Sequence, residues 1–494
     1  MKSNFKNALY NAIGFIFPVL VGLFTTPYIV HKLNTEVYGI YVLAISLMGL
    51  LSFLDLGFGQ GIIKFVAHYE AKGDYQKIND IINTTFVINL LMGILGAFTI
   101  FSCSNFLSKI FSVTPEYYNL STTAFKIVSV GFLLNILSST FSNIPKALQR
   151  YDISVKIQNT VWFLSIMSSV ILLYLGYGLL EMLVFYVIFQ FLGFVSYFYY
   201  SKKLLPFIKL SPSLKKDVFR EIFSYSVYTS INAITGNIVF RLDKMIIAYF
   251  LGTSAVTYYQ IPFMLSQMAN GFISSAIQFL MPAVSYLNSL GNKEKLKDMY
   301  IKYTRYTFAI SLIIFAGLVL LGKPFLIMWI GNEIAEKSYP LLIVISTVFF
   351  FVSISNVGYY FYNGLGKSKI NMISSFVGSF SYLFVAFLLI PKFGLIGSAI
   401  AFCFILVPYP VYIYLLNKLV EVELSWYVNF LFKSLIIIVG LLLISYTLIL
   451  HVSYFNLLML YSITLFILSQ TLLFIFKFLI KSDIIEFKNR VIKT

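Results

Sequence analysis

This chain is a succession of long, almost uncharged apolar stretches joined by short polar connections, and that spacing leaves it little choice of solvent. Fourteen such stretches follow one another, from residues 8–30 at the start to 454–479 near the end. Each is close to the ~20 residues a helix needs to cross the hydrocarbon core of a bilayer. Spanning strands would be about half as long and would alternate polar with apolar side chains. In lipid, backbone groups must find their hydrogen bonds within the structure itself. The expected fold is therefore all-α, a polytopic membrane protein with about fourteen transmembrane helices. Hydrophobic residues make up 59% of the 494 and charged residues only 11%, which leaves no room for a sizeable soluble domain.

The same chain is written twice. Leu33-Asn34-Thr35 leading to Tyr41 recurs as Leu251-Gly252-Thr253 leading to Tyr259, and Gly73-Asp74 through Asp80 recurs as Gly291-Asn292 through Asp298. Leu148 to Ile153, with Arg150, matches Leu365 to Ile370, with Lys367, and Gly178-Leu179 matches Gly394-Leu395. All four matches share a register of about 217 residues. A repeat of this size in a hydrophobic chain is a transporter signature. It predicts two pseudo-symmetric six-helix bundles, at residues 1–200 and 222–417, joined by a cytoplasmic linker at 201–221. Residues 418–494 supply two accessory helices and a basic tail.

The formal charge of +17 raises the possibility of a nucleic-acid partner, but its distribution argues against one. With the N-terminus in the cytoplasm, about 27 of the 36 Lys and Arg fall in or beside inward loops, which is the positive-inside pattern. The basic excess then belongs to topology and to anionic lipid head groups. Both termini are expected in the cytoplasm. The apolar run that begins near Met1 continues past Pro18 without a small-residue cleavage site, so it reads as a first span and not a removed signal. Cys103 and Cys403 lie at unmatched positions and carry no metal-type spacing.

The chain lacks the sequence marks of an enzyme. The outward loops are too short to fold into the catalytic domain of a glycan polymerase, and no metal cluster, Ser-His-Asp set or phosphate loop is evident. Gly57, Gly59 and Gly61 follow no strand and read as a helix terminus or hinge.

Charge at membrane depth is costly, about 2.5–3.5 kcal/mol for a mid-helix Arg, Lys or Asp. The exceptions therefore need a reason. The segment 222–250 carries Asn232, Asn237, Arg241, Asp243 and Lys244, with Asn237, Arg241 and Lys244 on one helical face. Such a cationic stripe attracts an anion such as a pyrophosphate, which arginine binds bidentately. Alternatively Lys244 snorkels to the head groups and Arg241 pairs with an acid. Asp55 lies near the inner end of the second stretch, where it carries a coupling ion, pairs with a basic residue of the facing half, or caps the glycine break. Lys126 is a further cation in the outer half of the membrane. Gln267, Asn270, Ser274 and Gln278 form an uncharged stripe, as do Asn356, Tyr360 and Asn363. Both stripes suit sugar hydroxyls in a wet cavity or bonds from helix to helix.

The opening Asn11-Ala12-Ile13-Gly14 through Leu33-Asn34-Thr35-Glu36-Val37-Tyr38-Gly39, then Leu54-Asp55-Leu56-Gly57-Phe58-Gly59, resembles the bacterial polysaccharide flippases. These are the Wzx-type members of the multidrug/oligosaccharidyl-lipid/polysaccharide exporter superfamily. Arg241-Leu242-Asp243-Lys244-Met245-Ile246-Ile247 carries the same resemblance, which extends over essentially the whole chain. It implies translocation of an undecaprenyl-pyrophosphate-linked oligosaccharide across the bacterial inner (cytoplasmic) membrane, for O-antigen or capsule-type polysaccharide. It also implies alternating access, antiporter-like, driven by a proton or sodium gradient with no bound cofactor. Arg241, Lys244 and Lys126 would hold the pyrophosphate, Asn237, Gln267, Asn270 and Gln278 the sugars, and Asp55 and Asp243 would serve pairing or coupling. The expected partners are this glycolipid, membrane lipid and other glycan-assembly proteins, around a monomer. A multidrug exporter or a peptidoglycan lipid-precursor flippase are the alternatives. The topology is checked directly by reporter fusions: a fluorescent tag after Thr494 is expected to light up and a phosphatase tag to stay silent, whereas an active phosphatase there contradicts an inward C-terminus.

Overall fold

The computed structural model describes residues 2–55, 57–211, 213–423 and positions 425, 429, 432 and 436; the side chains of residues 2–16, 52, 225 and 227–239 lie outside that description. The stretches near 427–450 and 454–479 lie almost wholly outside the described residues.

Helices follow one another through the described residues. In the first half they are α1 (Lys2–Leu50), α2 (Phe58–Lys72), α3 (Tyr75–Ile110), α4 (Tyr118–Ala147), α5 (Tyr151–Tyr174) and α6 (Leu179–Leu204). Next come α7 (Lys216–Leu251), α8 (Thr253–Ile277), α9 (Leu280–Ser289), α10 (Lys293–Leu320), α11 (Gly322–Ile330), α12 (Asn332–Gly364), α13 (Ser368–Phe402) and α14 (Tyr409–Val420). No strand occurs among the described residues. Among the described residues, eight stretches of helix are long and apolar enough to cross a membrane. Two of them, Phe17–Asp55 and Ser368–Val420, are 39 and 53 residues long, enough for two crossings each.

The breaks inside these long runs have a local cause. Asn34, at φ 63° and ψ 172°, interrupts α1, and its Oδ1 accepts the free N–H groups of Glu36 and Val37 at 3.0 Å each. A helix start has several such donors, and here one side-chain oxygen satisfies two of them. Gly252 holds nearly the same backbone angles, φ 80° and ψ 179°, at the corresponding place between α7 and α8.

The repeat extends to hydrogen-bond patterns. Gly73 ends α2 in the left-handed region with the Asp74 N–H reaching back to the Tyr69 carbonyl, and Gly291 and Asn292 do the same toward Leu287. Asp74 then caps α3 at the Lys77 N–H, and Asn292 caps α10 at the Lys295 N–H, each at 3.0 Å. After α4, Gln149 takes a positive φ and Arg150 bonds back to Pro145; after α12, Gly366 and Lys367 repeat the motif with Tyr362.

Two compact units result: residues 1–260 with 390–395, and residues 261–389 with the described residues from 396 on. In the first, Phe141 of α4 is the hub of an aromatic group with Phe86, Phe194 and Phe198, and α7 adds Val218 and Ile222 to the same core. The connector between α6 and α7 is strapped to the end of α3. Asn79 accepts the Lys209 N–H at 2.9 Å, while Asn83 donates to the Lys209 carbonyl at 2.8 Å and accepts the Ser211 N–H at 3.0 Å. In the second unit, Tyr300, Phe361, Tyr362 and Tyr412 form the core around α10, α12 and α14.

Between helices in lipid the hydrophobic effect gives no pull, so close backbone approach and dispersion must supply the attraction. Glycines make that approach possible. A Cβ on Gly39 would lie 2.0 Å from the Thr253 carbonyl oxygen, whereas one on Gly317 would meet nothing within 4 Å. Gly39→Ala is therefore expected to destabilise the protein by about 1–3 kcal/mol through overpacking. Gly317→Ala is expected to be neutral or to stabilise by up to about 1 kcal/mol through helix propensity. Thermal unfolding in detergent measures both, and equal effects would contradict the packing described.

Candidate functional site

Arg241 of α7 keeps part of its surface accessible, unlike its neighbours Asp243 and Lys244. Its guanidinium lies against Gly49 of α1, where a Cβ would come within 2.6 Å of Nε. Glycine at 49 is thus what lets the arginine lie flat on the neighbouring helix. Tyr186 of α6 stands within electrostatic reach of Arg241, with the Gln190 side chain beside its hydroxyl and Tyr41 of α1 next to it. Arg241, Tyr41, Tyr186 and Gln190 all keep part of their surface accessible. Chemically, this is a forked cation for phosphate-like oxygens with one phenol in reach, and a second phenol and an amide beside that phenol. Sequence reasoning missed Tyr41, Tyr186 and Gln190. Gln190 is the sole amide side chain in α6 and sits one turn from Tyr186, which was the available signal.

The adjacent charges are closed off. Asp243 is 0% and Lys244 4% exposed, and Lys244 Nζ lies 3.3 Å from Asp243 Oδ1 and donates to the Phe240 carbonyl at 2.7 Å. Lys244 therefore folds back along α7 and does not snorkel outward. Removing one partner of a buried pair leaves an uncompensated charge, at a cost of about 3–5 kcal/mol. Asn237 lies among the α7 side chains that are outside the description.

Lys126 does not join Arg241. Its Nζ sits 5.4 Å from the centre of the Phe101 ring, and Phe101 is exposed on α3. That is a cation–π contact on an outer surface of the first unit.

Asp55 closes a short 3-10 turn, Leu51–Asp55, just before Gly57, which holds φ 72° ahead of α2. Ser139 Oγ donates to Asp55 Oδ1 at 2.9 Å, and the Gly59 N–H and the Asn89 amide lie beside the carboxyl. Asn89 in turn donates to Ser139 and Thr140 at 3.1 and 2.9 Å. A Cβ on Gly59 would come within 2.5 Å of Asn143 Nδ2, so glycine there keeps α2 close to this network. Among the described residues no ion pair includes Asp55; its partners are neutral donors.

The uncharged stripes of the second unit meet each other. Asn270 Oδ1 accepts from Ser353 Oγ and Asn356 Nδ2 at 3.0 Å each, and Ser274 and Tyr360 hydroxyls are 2.9 Å apart. These contacts bind α8 to α12. Gln267 on α8 and Gln278, in the turn just after it, stay exposed. The structure thus separates Arg241, the carboxyl network at Asp55, the closed pair Asp243–Lys244 and the helix–helix seam at Asn270, with Lys126, Gln267 and Gln278 in none of them.

Comparison with known proteins gives this arrangement its context. The sequence family described as "Polysaccharide biosynthesis protein" matches residues 5–288. A Shigella flexneri protein provisionally described as an O-antigen transporter is 24% identical over 409 residues, covering 80% of this chain and 93% of its own. Among solved structures, the inward closed conformation of the lipid II flippase MurJ superimposes with a TM-score of 0.72 at 17% identity, covering 95% of this chain and 98% of its own. An inward-facing MATE family multidrug resistance transporter of the MOP superfamily gives 0.69 at 15% identity, covering 84% and 94%. The fold is that of the MOP superfamily transporters, and the chain belongs to the polysaccharide biosynthesis protein family.

Proposed function

We propose that this protein is a flippase that carries a polyprenyl-pyrophosphate-linked oligosaccharide from the inner to the outer leaflet of a bacterial cytoplasmic membrane. The observation that carries the reading is Arg241, a partly accessible side chain in an apolar stretch, seated on Gly49 with Tyr186 in electrostatic reach and Tyr41 and Gln190 beside Tyr186. A pyrophosphate is the one part of such a substrate with fixed charge, and a planar fork engages it with two parallel hydrogen bonds. Tyrosine faces and an amide suit sugar rings, which present apolar faces and hydroxyl edges. Asp55, held only by neutral donors, is the carboxyl proposed to take and release a proton as the molecule alternates access. The protein works as a monomer with both termini in the cytoplasm. Lysines 126 and 244 are left out of the anion site, one resting on Phe101 and the other tied to Asp243.

The fold similarity to MurJ favours one further reading, a carrier of the peptidoglycan lipid precursor, whose pyrophosphate would meet the same arginine. Loss of the gene separates the two: lethality would point to the precursor, and viability with altered surface glycan to the oligosaccharide.

Losing a charge-assisted hydrogen bond costs about 1.5–3 kcal/mol, roughly ten- to a hundredfold in affinity. Arg241→Ala is accordingly expected to reduce surface polysaccharide at least tenfold at normal protein level, and Arg241→Lys to retain an intermediate fraction because a point charge lacks the fork. Wild-type export by Arg241→Ala would remove the proposed role.

A further inference from the structure

The connector between α6 and α7 presents a surface that the proposed handling of the substrate does not use. Thr84 of α3 is its central fastening, since its Oγ1 donates to the Ser213 carbonyl at 3.3 Å and accepts the Lys215 N–H at 3.4 Å. With the bonds made by Asn79 and Asn83, the connector backbone is held at Lys209, Ser211, Ser213 and Lys215. It is a ledge fixed to α3.

Helical spacing shows which side of α3 the ledge crosses. Asp80, Thr84, Leu91, Leu95 and Phe98 share one face of the helix, and the last three are exposed apolar side chains. On a helix long and apolar enough to span a membrane, such a face is turned to lipid. Thr84, on that same face, is 0% exposed, covered by the connector it holds. The ledge thus lies on the lipid side of α3, where the apolar stretch 79–102 begins, and so at a boundary between membrane and water.

What the ledge carries suits that boundary. Leu210 and Leu214 are 42% and 59% exposed, and Tyr75, at the start of α3, is exposed while its ring packs against Phe207 at 4.6 Å. Beside these apolar groups stand Lys209 and Lys216, both exposed and in no ion pair among the described residues, whereas Lys215 is tied to Asp80 at 2.7 Å. Two acids lie within 201–221. Glu221 accepts from the Tyr69 hydroxyl at 2.7 Å and lies 3.7 Å from Lys77, and Asp217 sits in the first turn of α7, where the helix dipole favours it. The free charge on the ledge is therefore positive. We propose that the connector is a docking site for an anionic phospholipid of the adjacent leaflet, with Leu210 and Leu214 at the acyl boundary and Lys209 and Lys216 on the head-group phosphate. A zwitterionic head would bring its own cation against the lysines. A soluble acidic protein would engage the lysines and leave the leucines, set on the lipid side of α3, without a partner. Because the chain runs from the ledge straight into α7, a bound lipid steadies the start of the helix that carries Arg241.

The experiment places a fluorescent probe on Leu214→Cys in the full-length chain, with Cys103→Ala and Cys403→Ala removing the other thiols, and reconstitutes the protein in nanodiscs. Nitroxide-labelled phosphatidylglycerol is expected to quench the probe at a lipid fraction about fivefold or more below that needed with nitroxide-labelled phosphatidylcholine, since a lysine near an anionic surface is worth about that factor in affinity. Lys209→Gln combined with Lys216→Gln is expected to abolish the difference between the two lipids. No quenching by either lipid would mean that the ledge faces water or a protein, equal quenching by both would mean contact without head-group recognition, and an undiminished preference in the double variant would take the phosphate away from these lysines; each result overturns the proposal. The unmodified protein gives a second reading. In mixed micelles, trypsin cleavage after Lys209 and Lys216 is expected to be slower with phosphatidylglycerol than with phosphatidylcholine, and equal rates contradict the site. None of these measurements involves the glycolipid, so failure of the flippase reading and failure of the lipid site are told apart.

Discussion

A backbone amide or carbonyl inside a bilayer has no water to bond, and nearly everything in this structure follows from that. Helices satisfy the interior of each segment, and the places where a helix must stop or bend are the vulnerable ones. Asn34 solves the problem with its side chain, and Gly252 adopts the same backbone angles at the corresponding place in the second half. Asp74 and Asn292 cap the next helices in the same way. The internal repeat therefore survives at the helix ends, where these caps lie in exposed connections between apolar stretches. The same constraint explains the glycines at crossings such as Gly39 over Thr253, since helices in lipid must approach closely to attract each other.

Polar side chains at membrane depth fall into closed and open groups, and only the second can act on a passing molecule. Asp243 and Lys244 neutralise each other within one turn of α7, and Asn270 gives both acceptor positions to α12. Arg241 is different because Gly49 gives it a resting place without covering it. Asp55 lies between these cases, satisfied by Ser139 and its neighbours yet free of a fixed countercharge. A neutral setting of this kind lets a carboxyl exist in either protonation state without breaking an ion pair.

Much of this was legible in the sequence, and the limits have physical reasons. Helical class follows from run length alone, and the repeat follows from four short matches in one register. Arg241 was found because charge in an apolar stretch is costly and so needs a purpose. Tyr41, Tyr186 and Gln190 were missed because tyrosine in an apolar helix reads as ordinary filling until the neighbouring helix is known. The stripes at Gln267–Gln278 and Asn356–Asn363 show the converse: spacing reveals a polar face but not what it faces, and Asn270 and Asn356 face each other. Lys244 reads from the sequence as either a pyrophosphate ligand or a lysine reaching for the head groups, and its adjacent aspartate holds it inside instead.

The central claim is that the protein moves a charged glycolipid head across the membrane, and the most direct measurement is the sidedness of that lipid. In cells lacking the gene, the polyprenyl-linked oligosaccharide is predicted to accumulate on the cytoplasmic leaflet while surface polymer disappears, and a restored copy of the gene is predicted to reverse both. Unchanged sidedness together with normal surface glycan, in a strain with no second flippase, would contradict the account.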